Sequence, residues 1–167
     1  ATNVLKVYDK GERLVITHEA NLRNTNTWVF TKYNYLNRPD MTGFYTDATD
    51  PGRSGMQTYV DGLMNTAGRF ETTKASAIGY TTTTSFPSIS TPEMLSISFY
   101  DNYVWASNYG GTVYNTMNTD NNSLFYSGGS PLYAQPLTPS DKTKGMMTGT
   151  VTYVLNGTTN QKLVSSI

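Results

Sequence analysis

The sequence predicts a mainly β fold, made of consecutive antiparallel hairpins with one short inserted helix and long irregular loops. Thr, Ser, Asn, Gly and Tyr are abundant, while only 14% of the residues are charged and 13% are aromatic. Thr and aromatic residues suit half-buried pleated strands, and strong helix formers are sparse. Several short runs alternate apolar and polar residues and end at turn-forming residues, which is the pattern of hairpins.

Composition bounds the function as well as the fold. At 167 residues the chain is long enough for a single domain with its own core. Basic and acidic residues balance at 12 each, so nucleic-acid binding is disfavoured. The absence of cysteine excludes disulfides and thiolate metal sites. No apolar run approaches the length of a membrane-spanning helix, so no membrane span is expected.

Two stretches near the N-terminus have the pattern of a strand, a tight turn and a second strand. In the first, Tyr8 ends an alternating run, turn-forming positions follow, and Arg13 begins the next run. A looser copy extends from Tyr33 to Arg38. Residues 1–45 are therefore predicted to form two hairpin units.

This pattern resembles the tyrosine-aspartate repeat of the RHS/YD-repeat family, whose signature is roughly Tyr-Asp-x-x-Gly-Arg-Leu. In the first copy Glu12 occupies the glycine position, and in the second Asn34 and Asn37 replace the aspartate and the glycine. A third, partial copy keeps only the Tyr-Asp pair. The residues that match the motif are Tyr8, Asp9, Arg13, Tyr33, Arg38, Tyr100 and Asp101.

The motif side chains have a structural interpretation. In a tight turn an Asp carboxylate accepts hydrogen bonds from nearby backbone amides, and an Arg can pair with a carboxylate or stack on a Tyr of the neighbouring strand. A residue that is repeated in a repeated turn is explained by the turn itself. The motif therefore predicts a structural role and not acid-base catalysis.

Residues 46–94 are interpreted as an insertion that contains the single helix. Ser54 and Gln57 have the spacing of a capping box, and apolar residues recur behind them at helical spacing. This predicts a helix over residues 55–67 that lays an apolar face against the sheet. Short strands are expected near residues 78–84, within a loop rich in Thr and Ser.

The C-terminal part predicts a further strand, a long irregular region and a terminal hairpin. Residues 95–100 alternate apolar and polar positions, and residues 95–105 are predicted to form a third YD-like strand and turn. Gly and Pro interrupt residues 106–145 so often that irregular loops are expected, as in a surface insertion or a binding loop. In the hairpin of residues 146–167, a three-residue turn would set Val151 opposite Leu163.

Candidate catalytic groups are scattered along the sequence. His18 is the only histidine, so no second imidazole can complete a metal site, and it is interpreted as a solvated strand residue. The Asn118-Thr119-Asp120-Asn121-Asn122 run lacks the glycine and glutamate of a calcium loop and is interpreted as a polar turn. We expect no enzymatic activity, no cofactor and no metal site, because nothing in the sequence places any two of the candidate carboxylates together: Asp40, Asp47, Asp50, Asp61 and Glu71.

Aromatic residues in the predicted loops are candidate ligand-binding residues. Trp105, Tyr103, Tyr109 and Tyr114 lie where binding residues commonly collect, and amphipathic rings can stack on sugars. An alternative function is therefore a β-rich carbohydrate-binding or adhesin module. The competing interpretation is that these rings cover neighbouring strands.

The family resemblance implies a structural role in a large secreted or surface-associated bacterial protein. In that family, hairpins wind into a hollow shell that commonly encloses a C-terminal toxic domain, which implies encapsulation, toxin delivery or cell contact. Residues 1–167 are interpreted as a single β-rich domain or as an excised repeat segment. The expected partners are flanking repeats of the same polypeptide, or a second copy joined through sheet edges, and a glycan under the alternative.

Overall fold

In the part of the chain that the structure describes, seven β-strands form one antiparallel sheet whose spatial order is the order of the chain. The computed structural model describes residues 3–63, 68–74, 76, 78–88, 93–110, 120, 142–155 and 161–167. The predicted mainly β fold of consecutive hairpins is confirmed. The strands are β1 (Leu5–Tyr8), β2 (Leu14–His18), β3 (Thr27–Tyr33), β4 (Pro39–Thr46), β5 (Glu93–Tyr100), β6 (Met147–Tyr153) and β7 (Lys162–Ser166).

Every second connection lies at the same end of the sheet, because neighbouring strands are antiparallel. This end carries the tight turns from β1 to β2 and from β3 to β4, together with the long connection from β5 to β6. The three copies of the Tyr-Asp pattern, predicted from widely separated parts of the sequence, therefore lie side by side.

The single long helix in the described part of the chain is α1 (Gly52–Leu63). It begins three residues before the predicted start, and residues 64–67 lie outside the described residues. The predicted capping box is wrong, because Ser54 lies inside the first turn, where its carbonyl accepts a hydrogen bond from Thr58 Oγ1 at 3.1 Å. Gln57 bonds to β1 instead of to the helix terminus.

Two short 3-10 helices complete the described secondary structure, Ala20–Thr25 and Val104–Tyr109. The second extends into the region predicted to be irregular, most of which lies outside the described residues. Of the helices in the described ranges, none has both the length and the apolar composition needed to cross a membrane.

One face of the sheet carries the hydrophobic core. The strand registers set alternating apolar residues of neighbouring strands beside one another, and full burial of each stabilises the fold by about 1.5–3 kcal/mol. Met56 and Val60 of α1 join this core, and residues 68–88 pack Tyr80 and Phe86 against it. Two rows of paired residues form its centre: Val7, Ile16 and Phe30 across β1 to β3, and Met41, Ile97 and Val151 across β4 to β6.

The pairing of β6 with β7 differs from the prediction. Val151 lies opposite Val164, one residue beyond the predicted partner Leu163. Val164 packs against the core, whereas Leu163 is 68% exposed. Adjacent apolar residues allow either register, so the hydrophobic pattern could not distinguish them.

Residues between α1 and β5 also differ from the prediction. The prediction of short strands near residues 78–84 is wrong, since the described residues of this segment contain only an isolated bridge between Thr73 and Tyr80.

A bulge between β4 and β5 makes Leu95 an extra residue, and Met94 takes the buried position that the alternation predicts for Leu95.

Candidate functional site

The first Tyr-Asp turn is held by the side chain of Asp9. Its Oδ1 accepts hydrogen bonds from the amides of Gly11 at 2.8 Å and Arg13 at 3.0 Å. Its Oδ2 accepts from Arg13 Nε at 2.7 Å and from Arg13 Nη2 at 2.5 Å. Glu12, at the position of the family glycine, adopts a φ of 60°, which explains why a glycine suits this position.

The second turn repeats this geometry with an asparagine. Asn34 Oδ1 accepts hydrogen bonds from the amides of Leu36 at 2.9 Å and Arg38 at 3.1 Å, which are again two and four residues further along. Asn37 adopts a φ of 58° and matches Glu12 of the first turn. An amide oxygen can therefore replace the carboxylate oxygen as the acceptor within the turn.

The third turn keeps part of this hydrogen bonding, although Asp101 itself adopts a φ of 70° and the sequence of the corner is interrupted by a long insertion. The Asp101 amide donates to the Met146 carbonyl at 3.0 Å, as the Asp9 amide does to Arg13, and Asp101 Oδ1 accepts from the Gly145 amide at 2.6 Å. Residues 102–145 are inserted into this corner. Met146 therefore occupies the position that the arginine holds in the other two turns.

Neighbouring turns are joined through their arginines. The Arg38 guanidinium reaches the next turn, where Nη1 and Nη2 donate to the two carboxylate oxygens of Asp101 at 3.1 and 2.5 Å. It also lies 4.2 Å from the centre of the Tyr100 ring. Arg13 likewise donates to Asn37 Oδ1 at 3.2 Å and lies 4.9 Å from the Tyr33 ring.

The motif tyrosines complete the link in the opposite direction. Tyr33 Oη donates to the Leu14 carbonyl at 2.9 Å, and Tyr100 Oη donates to the Pro39 carbonyl at 2.8 Å. In both cases the acceptor is the residue that follows the arginine of the preceding turn. We call this repeated arrangement the turn ladder; it consists of Asp9, Arg13, Tyr33, Asn34, Arg38, Tyr100 and Asp101.

The carboxylates of the turn ladder stay ionised at neutral pH. The hydrogen bond from Arg38 is the largest influence on Asp101 and lowers the pKa of its carboxyl group. Burial alone would raise the pKa of Asp9, but the hydrogen bonds from Arg13 and from the turn amides outweigh it and lower that pKa. Groups that are ionised and occupied by donors are poor proton donors for catalysis.

A second polar site, which we call the buried charge cluster, consists of Lys32, Asp40 and Glu71. Lys32 Nζ donates to Glu71 Oε1 at 2.7 Å, and both side chains are fully buried. Lys32 also donates to the backbone carbonyls of Thr82 and Ser85. This ion pair therefore fastens the described residues among 68–88 (68–74, 76 and 78–88), which we call the cover segment, to the centre of the sheet.

Glu71 receives further hydrogen bonds from the cover segment itself. Its Oε1 accepts from the Ser85 amide at 2.9 Å and from Ser85 Oγ at 2.8 Å, and its Oε2 accepts from Thr81 Oγ1 at 2.5 Å. Burial acts to raise the pKa of Glu71, but Lys32 and these donors outweigh it and lower the pKa. Asp40 differs: burial first, and the Glu71 carboxylate second, raise its pKa to about 7.

The sequence did not indicate this cluster. Asp40 and Glu71 were among the candidate carboxylates, but their meeting around Lys32 depends on how the cover segment folds back over the sheet. The expectation for His18 is wrong, because this residue is buried and its ring stacks on Trp28 with the ring centres 4.2 Å apart.

The candidate ligand-binding aromatic residues that lie in the described part of the chain contact other parts of the protein. Trp105 is 5% exposed and stacks on Phe99, with ring centres 4.5 Å apart, and its indole lies so close to Gly149 that a Cβ there would overlap it. Tyr109 packs against the same two rings. Tyr103 Oη donates to the carbonyl of Ile167. Tyr114 lies outside the described residues.

A cavity of about 320 Å³ lies between the cover segment, the end of β5 and the second 3-10 helix. Phe99, Tyr80 and Trp105 form its apolar wall, and Lys74 and Asn108 contribute polar groups. Within the described ranges, no group of three or more histidine or acidic residues is arranged to hold a metal ion. Of the run predicted to be a polar turn, only Asp120 is described.

The two edges of the sheet differ. At β1, the Gln57 side chain of α1 accepts from the Tyr8 amide at 3.2 Å and donates to the Tyr8 carbonyl at 2.8 Å, as a neighbouring strand would. Arg53 Nε donates to the Lys6 carbonyl at 3.2 Å. The helix therefore occupies the β1 edge and satisfies three of its backbone groups, the Tyr8 amide, the Tyr8 carbonyl and the Lys6 carbonyl.

The β7 edge has a strand on one side only within the described residues. The Ile167 amide donates to Thr148, and the Gln161 carbonyl accepts from Val154, so odd-numbered residues of β7 direct their backbone groups towards β6. The backbone groups of Val164 and Ser166 therefore point away from the sheet.

Comparisons of the chain with protein-family models, with curated proteins and with solved structures gave no match.

Proposed function

We propose that this chain is a non-catalytic structural segment of an RHS/YD-repeat shell. The family is associated with encapsulating and delivering C-terminal toxins, or with contact at the cell surface. In this role the polypeptide is bacterial and is secreted or displayed at the surface. Flanking repeats of the same polypeptide continue the sheet.

The turn ladder is the observation that carries the proposal. Each arginine contacts the next turn and each tyrosine reaches back to the preceding one, so the motif residues serve the contact between successive units. A catalytic carboxylate needs an oxygen free to face a substrate, whereas the oxygens of Asp9 and Asp101 accept hydrogen bonds from their own turns and from arginines.

The two edges of the sheet differ in whether they can accept a further strand. Because α1 satisfies the backbone of β1, a further strand is accepted at β7, where outward amide and carbonyl groups can extend the hydrogen-bonded ladder. Two exposed apolar side chains lie in or next to that strand, Leu163 and Ile167. Their burial by a neighbouring unit would add hydrophobic stabilisation to the backbone hydrogen bonds.

We expect the isolated chain to form a dimer that does not grow further. With one open edge, two copies can pair β7 to β7 around a twofold axis, and the pairing leaves no second open edge. Sedimentation equilibrium over a wide concentration range should fit a monomer–dimer equilibrium. Persistence of the monomer at the highest concentration would contradict the open β7 edge.

Two substitutions test which edge is used. Ser166→Pro removes an outward amide without removing a bond to β6, so it should abolish the dimer at unchanged melting temperature, while Ser166→Ala should dimerise normally. Gln57→Ala uncovers β1 and should allow assemblies larger than a dimer. A dimer that survives Ser166→Pro would show that association uses another surface.

A second candidate function is a carbohydrate-binding or adhesin module, favoured by the cavity beside Trp105. The burial of Trp105 leaves little of its ring for stacking on a sugar, so the polar groups of Lys74 and Asn108 would have to orient the ligand. Glycan-array binding by the wild-type chain, lost in Asn108→Ala at unchanged melting temperature, would favour this candidate. An array without binding would leave the structural role as the better explanation.

A further inference from the structure

Asp40 is a buried carboxyl group that lacks a hydrogen-bond partner among the described residues. It is 1% exposed and is the extra residue of a bulge, since Lys32 pairs with Met41 and Tyr33 with Pro39. A carboxylate in such a place loses hydration, and the backbone amides of Asp40 and Met41 compensate for only part of that loss. Its surroundings therefore favour the uncharged form.

Four titratable groups face Asp40 from three parts of the fold. Lys32 on β3 favours the ionised form of Asp40, and Glu71 on the cover segment opposes it. Tyr80 on the cover segment and Tyr100 on β5 also lie within reach of its charge. With Asp40 ionised, two buried carboxylates would share the single Lys32 cation.

We propose that the proton on Asp40 is a latch, which holds the cover segment on the sheet below neutral pH and loosens it as the proton is lost. The cover segment is fastened through Glu71, which joins Lys32, Ser85 and Thr81. A negative charge on Asp40 repels Glu71 and competes with it for Lys32. The hydrogen bonds that Glu71 makes within the segment are weakened as a result.

The pH range follows from the two pKa values of Asp40. In an opened or unfolded chain the pKa of an Asp is about 3.9, whereas in the closed fold the pKa of Asp40 is about 7. Between these values the closed state holds one proton more, so stability from Asp40 is full below the lower value and falls as the pH rises to 7. Within this range the opening equilibrium changes by up to about tenfold per pH unit.

Hydrogen exchange measured by NMR tests the latch on the intact chain. The amides of Glu71, Thr81 and Ser85 report on the cover segment, since they bond to Tyr33, to Thr72 and to the Glu71 side chain. After correction for intrinsic exchange, their protection in the wild-type chain should fall by up to about 100-fold from pH 5 to pH 7.

Asp40→Asn imitates the protonated form and should keep constant protection over this range. Glu93→Gln, which removes an exposed carboxylate, should behave as the wild type does. Equal slopes in the wild type and in Asp40→Asn would overturn the latch. If Asp40→Asn does not fold, the carboxyl ¹³C chemical shift of Asp40 is followed over pH in the wild type. A titration midpoint at pH ~7 supports the latch, and a midpoint at pH ~4 overturns it.

Discussion

Replacing Glu71 with glutamine should destabilise the fold by about 3 to 5 kcal/mol. The change removes the carboxylate that is hydrogen-bonded to the buried Lys32 ammonium and leaves as counter-charge only Asp40, which is not hydrogen-bonded to Lys32 in the described structure. Lys32 Nζ lies 2.7 Å from Glu71 Oε1, and both side chains are fully buried. Glutamine keeps the volume of glutamate, so no cavity is opened and the loss is electrostatic. Urea unfolding followed by circular dichroism gives the change in the free energy of unfolding.

Two further variants separate this effect from a general intolerance to substitution. Adding Lys32→Met to Glu71→Gln removes both charges and should recover most of the loss, because an uncharged pair has no unbalanced ion. Glu93→Gln, at an exposed position, should stay within about 0.5 kcal/mol of the wild type. A loss of less than about 1 kcal/mol for Glu71→Gln would mean that solvent or the Asp40 carboxylate balances the charge on Lys32, so that the Glu71 ion pair is not essential to the fold.

Replacing Trp105 with alanine should lower the free energy of unfolding by about 3 to 5 kcal/mol, because removing a large buried ring leaves a cavity. The indole stacks on Phe99 with an interplanar angle of 6°, and its N–H donates to Thr148 Oγ1 at 3.1 Å. Gly149 provides the space for the ring. Thermal and urea unfolding measure the loss.

The neighbouring Val104 provides the matched control for Trp105. Val104 is 77% exposed, so Val104→Ala should change the stability by less than about 0.5 kcal/mol. If Trp105→Ala instead kept the wild-type stability, the ring would not be part of the core. Loss of a glycan-binding activity in such a stable variant would favour the carbohydrate-binding alternative.

The tight turns could be predicted from the sequence because their geometry is local. Asp9 and Asn34 each bond to the amides two and four residues further along, so the acceptor and its donors are neighbours in the chain. Strand alternation is local in the same sense, which is why the hairpins were found. The partner of each arginine is not local, since Arg38 and Asp101 are 63 residues apart.

The buried charge cluster and the edges depend on tertiary packing. Lys32 and Glu71 meet because the cover segment returns to the sheet centre, and no sequence period marks that return. The predicted capping role of Gln57 failed because its side chain completes the β1 edge, where two backbone groups of Tyr8 need partners. The solvated interpretation of His18 failed for a similar reason, because the Trp28 ring of the neighbouring strand stacks on this side chain and the site is buried.

The central claim is that the motif residues brace neighbouring turns of one continuous sheet. A double-mutant cycle on Arg38 and Asp101 measures this bracing directly, with substitutions that the chain itself uses at equivalent positions. Arg38→Met copies Met146, and Asp101→Asn copies Asn34, which still accepts hydrogen bonds from its turn. We predict a coupling free energy of about 1 to 2 kcal/mol between the two sites. Additive effects, with a coupling below about 0.3 kcal/mol, would contradict the account.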